Sequence, residues 1–360
     1  MHHSRALAAL ALLATTVLAT SGCALNEISV SKDPRSQHLS GVLSASGASS
    51  QGVAQTAWIA GFYPIEPDVR VNYAGGGSGA GRSDFQNGTS AFIGSDRAFD
   101  IDEIAEGPFR TCADGSDLVE IPAYISPIAV AFALDGVDEL RLDAPTIAGI
   151  FAGDIASWDA PEIAALNPDA SLPSLAITPV HRSDKSGTTG NFTAYLDEAA
   201  GDAWSYGEVD EWPVESGEAA QESAGMQQAL RANGTIGYMD ASAAAGLKTA
   251  SVETGGEFVP FSPEAAAAVV DNSTIEAGRA ATDLAFELNR TTPGVYPIVL
   301  VSYLIGCAEY ADADEGINAK AYFSFVVSEE GQAASAEAAG SAPISDALRA
   351  QIEPVLEQMK

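Results

Sequence analysis

Two long apolar segments constrain the fold of this chain more than any other feature: EIPAYISPIAVAFAL (Glu120–Leu134) and GVYPIVLVSYLIGC (Gly294–Cys307). Each has a proline near its start and β-branched residues after it, which predicts buried strands. They bracket the middle of the chain, so two readings stand: ordinary central strands, or two places where the chain crosses between domains. The cysteines bear on the choice. The N-terminal MHHSRALAALALLATTVLATSGC has a short basic start with Arg5, an apolar run from Ala6 to Leu18 and small residues before Cys23. This is the pattern of an export signal, and the run is too short for an ordinary membrane span. Beyond Cys23 the chain carries Cys112 and Cys307, and an exported protein sits where disulfides persist. A predicted Cys112–Cys307 bond would tie the first third of the chain to a point near its end. The middle would then be an excursion, which favours crossing.

The length of 360 residues suits two domains. The expected division is a signal over 1–22, a polar tether over 23–40, one discontinuous domain from 41–125 and 298–360, and a second domain over 126–297. Strand-like and helix-like stretches alternate. DVRVNYAGGG reads as a strand stopped by glycines, VAQTAWIAGFY has helical spacing, AITPVHRSD is a strand feeding a loop, and GTTGNFTAYLDEAA is a helix. MQQALRANGTIGYMDASAAAG reads as helix, turn, strand and helix. The predicted class is α/β with a mostly parallel sheet.

Charge excludes some partners. With 49 acidic residues against 17 basic, the net charge is −32, which repels nucleic acid and anionic membrane surfaces at long range. It does not exclude a small anion in one pocket, because the Debye length at physiological salt is about 8 Å.

Four polar clusters stand where apolar runs end: GASS at Gly47–Ser50, GGGSGAG at Gly75–Gly81, Ser95-Asp96, and RSDKSGTT from Arg182 to Thr189. In open α/β sheets the C-terminal ends of strands face a crevice where ligands bind. Helices that start there aim free amides and a partial positive charge at an anion. Arg182 beside Asp184 has two readings: a surface ion pair, or a guanidinium fork that Asp184 aims at an oxyanion. Lys185 belongs at the rim.

The glycine cluster mimics other chemistries. Gly76–Ser83 has P-loop spacing, but Arg82 stands where lysine is required. Gly75, Gly77 and Ala80 imitate a dinucleotide fingerprint without an evident acidic partner. Ser78 nearly sits in a nucleophile elbow, yet the final glycine is missing and no well-spaced histidine completes a triad. An exported hydrolase or phosphatase using Ser78 or Ser186, and a surface module for another oxyanion, are the alternatives. His181 reads as structural, and no His/Cys cluster has metal spacing. No metal, cofactor or catalytic residue is expected.

The segments GASS, VNYAGGGSGAG, FIGSD, SWDAPEIAALNP, HRSDKSGTTGNFTAYL, GTIGYM and VYPIVLVSYLI, in this order, resemble the phosphate-binding lipoproteins of bacterial ABC phosphate importers, the PstS family. The resemblance implies a two-domain venus-flytrap fold, with two hinge-crossing strands and hydrogen phosphate held in the cleft. It carries Ser49, Ser50, Ser78, Asp96, Arg182, Ser186, Gly187 and Thr188 to the phosphate, with Asp184 orienting Arg182. The N-terminus likewise resembles a lipoprotein signal, with Cys23 as the lipidated residue, Thr20 standing where Leu is usual. The chain departs from the family at Ser50, where an aromatic is common, and at Lys185, where glycine is. The implied role is a monomeric receptor on the outer face of the cell membrane, anchored by lipid and delivering phosphate to permease and ATPase subunits. Asp96 has a physical rationale in that role: a carboxylate accepts the proton of hydrogen phosphate and repels sulfate, which has none.

Overall fold

A computed structural model describes residues 39–215 and 217–360. Its main sheet runs in the order Val69–Ala74, Gly41–Gly47, Phe92–Ser95, Val299–Cys307, Leu118–Ala133, Thr235–Asp240, Thr178–Arg182, Glu218–Ala220, and Lys248–Thr249 pairs off this path with Leu118–Ala133. Strands 41–47, 69–74 and 92–95 are mutually parallel, as are 178–182, 218–220 and 235–240. Parallel pairing therefore holds among these outer strands of each half, while every pairing made by Val299–Cys307 and Leu118–Ala133 is antiparallel.

The two long apolar segments join the halves. Val299–Cys307 pairs antiparallel with Leu118–Ala133, from Val299 opposite Pro127 to Cys307 opposite Leu118, and the register shifts between Ser302 and Tyr303. Beyond Pro127 the long strand continues, and Ile128–Ala133 pairs with Thr235–Asp240 in the other half. One strand thus serves two sub-sheets, which explains its 16 residues and its almost unbroken burial. The Cys112–Cys307 disulfide is present.

Aromatic packing supports both halves within one continuous core. In the first, helix Gly52–Phe62 lies against the C-terminal helices: the Phe62 and Tyr322 rings are 5.2 Å apart, and the Trp58 indole donates to the Gly331 carbonyl at 2.8 Å. In the second, Phe192 stacks on Tyr238 at 4.3 Å and Phe151 meets Phe192 edge-on at 4.9 Å. These pairs add roughly 0.5–1.5 kcal/mol each beyond area burial. The chain also returns to the first half late in the sequence: the Glu120 amide donates to the Thr282 carbonyl, and the Phe286 amide to the Tyr303 hydroxyl at 2.9 Å.

One local expectation fails. The residues after Thr235–Asp240 do not form a helix beyond the single turn Ala241–Ala243. The Asp240 carboxylate caps the Ser242 amide at 2.9 Å, Gly246 turns at φ +80°, and Lys248–Thr249 joins the long strand. Pairing with a buried strand overrides the alanine helix propensity. Among the described residues no helix is long and apolar enough to cross a membrane.

Candidate functional site

Three helix starts meet at Asp96. Phe92–Ser95 delivers Asp96 at its C-terminal end, and the short helix Ser49–Gln51 and helices Ser78–Asn87 and Gly187–Ala199 begin around it. Each contributes a hydroxyl. Ser50 donates to Asp96 Oδ1 at 2.6 Å, Thr188 donates to Oδ2 at 2.8 Å, and Ser78 Oγ accepts from the Asp96 amide at 3.1 Å. Because Ser78 accepts that bond, its own proton is free for a ligand. The first-turn amides of a helix lack partners within it, so donors surround this carboxylate.

Glycine makes the approach possible. A Cβ on Gly187 would lie 2.7 Å from Asp96 Cβ and 2.8 Å from Ser78 Oγ. Gly77, at φ +100°, stands where a Cβ would meet Asp184 Oδ2 at 2.6 Å. Both contacts cross between the halves of the sheet.

Arg182 ends strand Thr178–Arg182 and is only 3 % exposed. Its Nε donates to Asp184 Oδ1 at 2.8 Å and its Nη2 to Asp184 Oδ2, a bidentate pair. Burial pushes the Asp184 carboxyl up, but the bonds and charge of Arg182 and the Glu222 amide outweigh it and hold it below its usual value. Glu222 donates that amide at 3.1 Å from a left-handed backbone, φ 58°. Strain at a non-glycine residue is spent here on orienting the carboxylate.

The other expected residues fall nearby in differing roles. Ser186 caps its helix, its Oγ accepting the Thr189 amide at 3.4 Å. Ser49 is half-buried, and its Oγ accepts from the Ser223 amide at 3.2 Å across the cleft. Lys185 is exposed, and its carbonyl accepts from the Gly79 amide at 3.1 Å. Cys23 lies outside the described residues. His181 is buried against Trp212, the rings stacked at 5.1 Å, and burial holds its imidazole below its usual value. Arg82 is buried and paired with Asp210.

Sequence reasoning missed several groups. Ser302 donates to Asp96 Oδ1 at 2.7 Å; its signal was a lone serine within an apolar strand. Asn191, one turn beyond Gly187, donates to the Asp96 carbonyl at 2.6 Å and is itself held by Arg290 at 2.6 Å. Asp210 pairs with Arg82 and with Arg97, the latter at 2.9 Å, while its carbonyl accepts the Ser186 amide. Nothing local in EVDEWP marks Asp210.

A cavity of about 650 Å³ also touches Asp96, but carboxylates such as Asp197, Glu198, Glu208 and Glu287 line much of it. Arg97, Arg279 and Arg290 line it too, but the carboxylates outnumber them, whereas Ser50, Ser78, Arg182 and Thr188 form a donor-rich cradle. Among the described residues no group of acidic, histidine or cysteine side chains could hold a metal ion.

The family model described as PBP superfamily domain matches residues 32–330. Phosphate-binding protein PstS 3 of Mycobacterium leprae is 35 % identical over 335 residues, covering 89 % of this chain and 90 % of that one. Phosphate-binding protein PstS 2 of Mycobacterium tuberculosis is 33 % identical, covering 91 % and 92 %. Among solved structures, a high-affinity periplasmic phosphate-binding protein (PfluDING) with bound phosphate aligns at a TM-score of 0.70 and 21 % identity, covering 87 % and 93 %. A phosphate-bound ABC transporter substrate-binding protein from Clostridium perfringens aligns at 0.59 and 19 %, covering 83 % and 98 %. These two show the same two-domain fold. By sequence, the chain belongs to the PstS family within the PBP superfamily.

Proposed function

We propose that this protein is an extracytoplasmic receptor that binds hydrogen phosphate between its lobes and delivers it to an ABC importer. The observation that carries the reading is the placement of one carboxylate, Asp96, within a ring of anion donors: three helix starts, Ser50, Ser78 and Thr188. A fully ionised oxyanion would be repelled by Asp96, whereas an anion with one O–H can donate to it. Arg182 supplies the charge, Asp184 aims it, and Ser49, Ser186 and Gly187 complete the shell. The chemistry is binding without turnover.

In this reading residues 41–125 and 298–360 form one lobe and 126–297 the other, with the stretch around Thr282–Phe286 riding on the first. The lobes pivot where the chain crosses, near Ile121–Ile128 and Tyr296–Val301. Cys23 carries a lipid anchor, residues 1–22 are removed, and the receptor works as a monomer beside permease and ATPase subunits.

Asp96→Asn tests the reading. An amide can donate to sulfate, so the variant is expected to lose most of the preference for phosphate over sulfate, measured by titration calorimetry with both anions. An unchanged preference would remove Asp96 from the ligand.

A further inference from the structure

We propose that a buried chain of hydrogen-bond donors running from Tyr322 through Gln55, Gln51 and Ser302 holds Asp96 as an acceptor-only group and so sets the selectivity of the site. The proposal rests on the phosphate reading and deepens it.

The direction of every bond in the chain follows from one fixed point. Gln51 Nε2 lies 3.0 Å from the Tyr303 carbonyl, which can only accept, so the orientation of the Gln51 amide is settled. The same nitrogen donates to Ser302 Oγ at 2.6 Å. The Ser302 proton must therefore point elsewhere, and Asp96 Oδ1 is 2.7 Å away. On the other side Gln51 Oε1 needs a donor, which Gln55 Nε2 provides at 2.8 Å. Gln55 Oε1 then accepts from the Tyr322 hydroxyl at 2.8 Å. Every member is buried: Gln51, Ser302 and Tyr322 are fully buried and Gln55 is 1 % exposed. Such chains polarise cooperatively in the same sense, and here each proton faces Asp96.

The consequence falls on the two carboxylate oxygens. Oδ1 receives Ser302 and Ser50 and is full, since each oxygen has about two lone-pair positions. A proton placed on Oδ1 would face two incoming O–H bonds. Oδ2 receives Thr188 and has one position left. The geometry assigns that position to the proton of the ligand, and an oxyanion with no proton leaves two oxygens facing each other.

Ser302 also lies at the register shift in the strand joining the lobes. It belongs with Gln51 and Asp96 to the first lobe, so its bond persists when the lobes open and Thr188 departs. Asp96 is thus set for selection before closure.

The test is the ratio of sulfate to phosphate dissociation constants in the parent, Ser302→Ala, Ser302→Cys and Ser302→Thr, each also combined with Asp96→Asn. Loss of one bond to a charged group predicts that Ser302→Ala lowers the ratio about tenfold. The near-isosteric Ser302→Cys, a weak donor, should do likewise, so that a poorly folding alanine variant leaves the question answerable. Ser302→Thr keeps the hydroxyl and should restore the ratio. In the Asp96→Asn background, Ser302→Ala should not change the ratio further. A parent that discriminates, with Ala and Cys variants discriminating equally well, would overturn the role of Ser302 alone. A parent that binds neither anion would overturn the receptor reading and this proposal with it.

Discussion

At the residue scale, the site depends on how closely opposed backbones approach. Gly187 has space for hydrogen alone, because a Cβ would press on Asp96 and Ser78 at 2.7 and 2.8 Å. Those atoms lie in the other half of the sheet, so in the proposed hinge closure the clash arises only when the lobes meet. Gly187→Ala is therefore expected to weaken phosphate binding by about ten- to a hundredfold, the equivalent of overpacking a tight contact. Its unfolding temperature without phosphate should stay near that of the parent. Equal affinity by calorimetry would show that the closed form binds differently. Much of this site was legible in the sequence. Ser50, Ser78, Asp96 and Arg182 each stand at the end of an apolar run, where strand geometry delivers residues to a crevice. Ser302, Asn191 and Asp210 were not, because their roles depend on partners 206, 95 and 128 residues away.

At the element scale, the long strand Leu118–Ala133 joins the two sub-sheets, and its polar supports carry a cost. Asp240 ends the neighbouring strand opposite Ile128, fully buried, and takes hydrogen bonds from the Tyr124 hydroxyl and the Ser242 amide. Burial pushes its carboxyl up to about 6, with the Ser242 and Ser126 hydrogen bonds working against the rise. The folded state then binds this proton more tightly than the unfolded chain does. The sign follows: the contribution of Asp240 to stability is largest below its ordinary value of 3.8 and falls as pH rises toward about 6, then levels off. Asp240→Asn should flatten that part of the stability curve relative to the parent, read from urea unfolding at several pH values. An identical slope in both proteins would contradict the burial argument. The two apolar segments made these buried strands readable in advance. Their antiparallel pairing and the turn after Asp240 were not, since both are decided by neighbours in the sheet rather than by local propensity.

At the scale of the whole molecule, closure joins opposite charges as well as backbones. Asp210 faces both Arg82, 3 % exposed, and Arg97 across the cleft, and Arg97 is anchored by Glu103 at 2.7 Å. The carbonyl of Asp210 also holds the Ser186 amide, so this latch touches the anion loop directly. Removing its charge would leave the buried Arg82 without its carboxylate partner, while Arg97 keeps Glu103; with the lobes parted, water can solvate Arg82 instead. Asp210→Asn is expected to weaken phosphate binding at least tenfold and to enlarge the radius of gyration at a fixed phosphate concentration, measured by small-angle scattering. No change in either would mean that the lobes close without this pair. Within a chain of net charge −32, screening confines the general repulsion to about 8 Å, so a small anion meets chiefly the groups nearest to it.

The central claim is that the cradle around Asp96 recognises an oxyanion by its proton. Calorimetric titration of the purified protein, freed of bound anion, with phosphate and then with sulfate tests it most directly. One-to-one phosphate binding with little heat from sulfate is the expected result. Equal binding of both anions would contradict it, because Asp96 could not then be taking the ligand's proton.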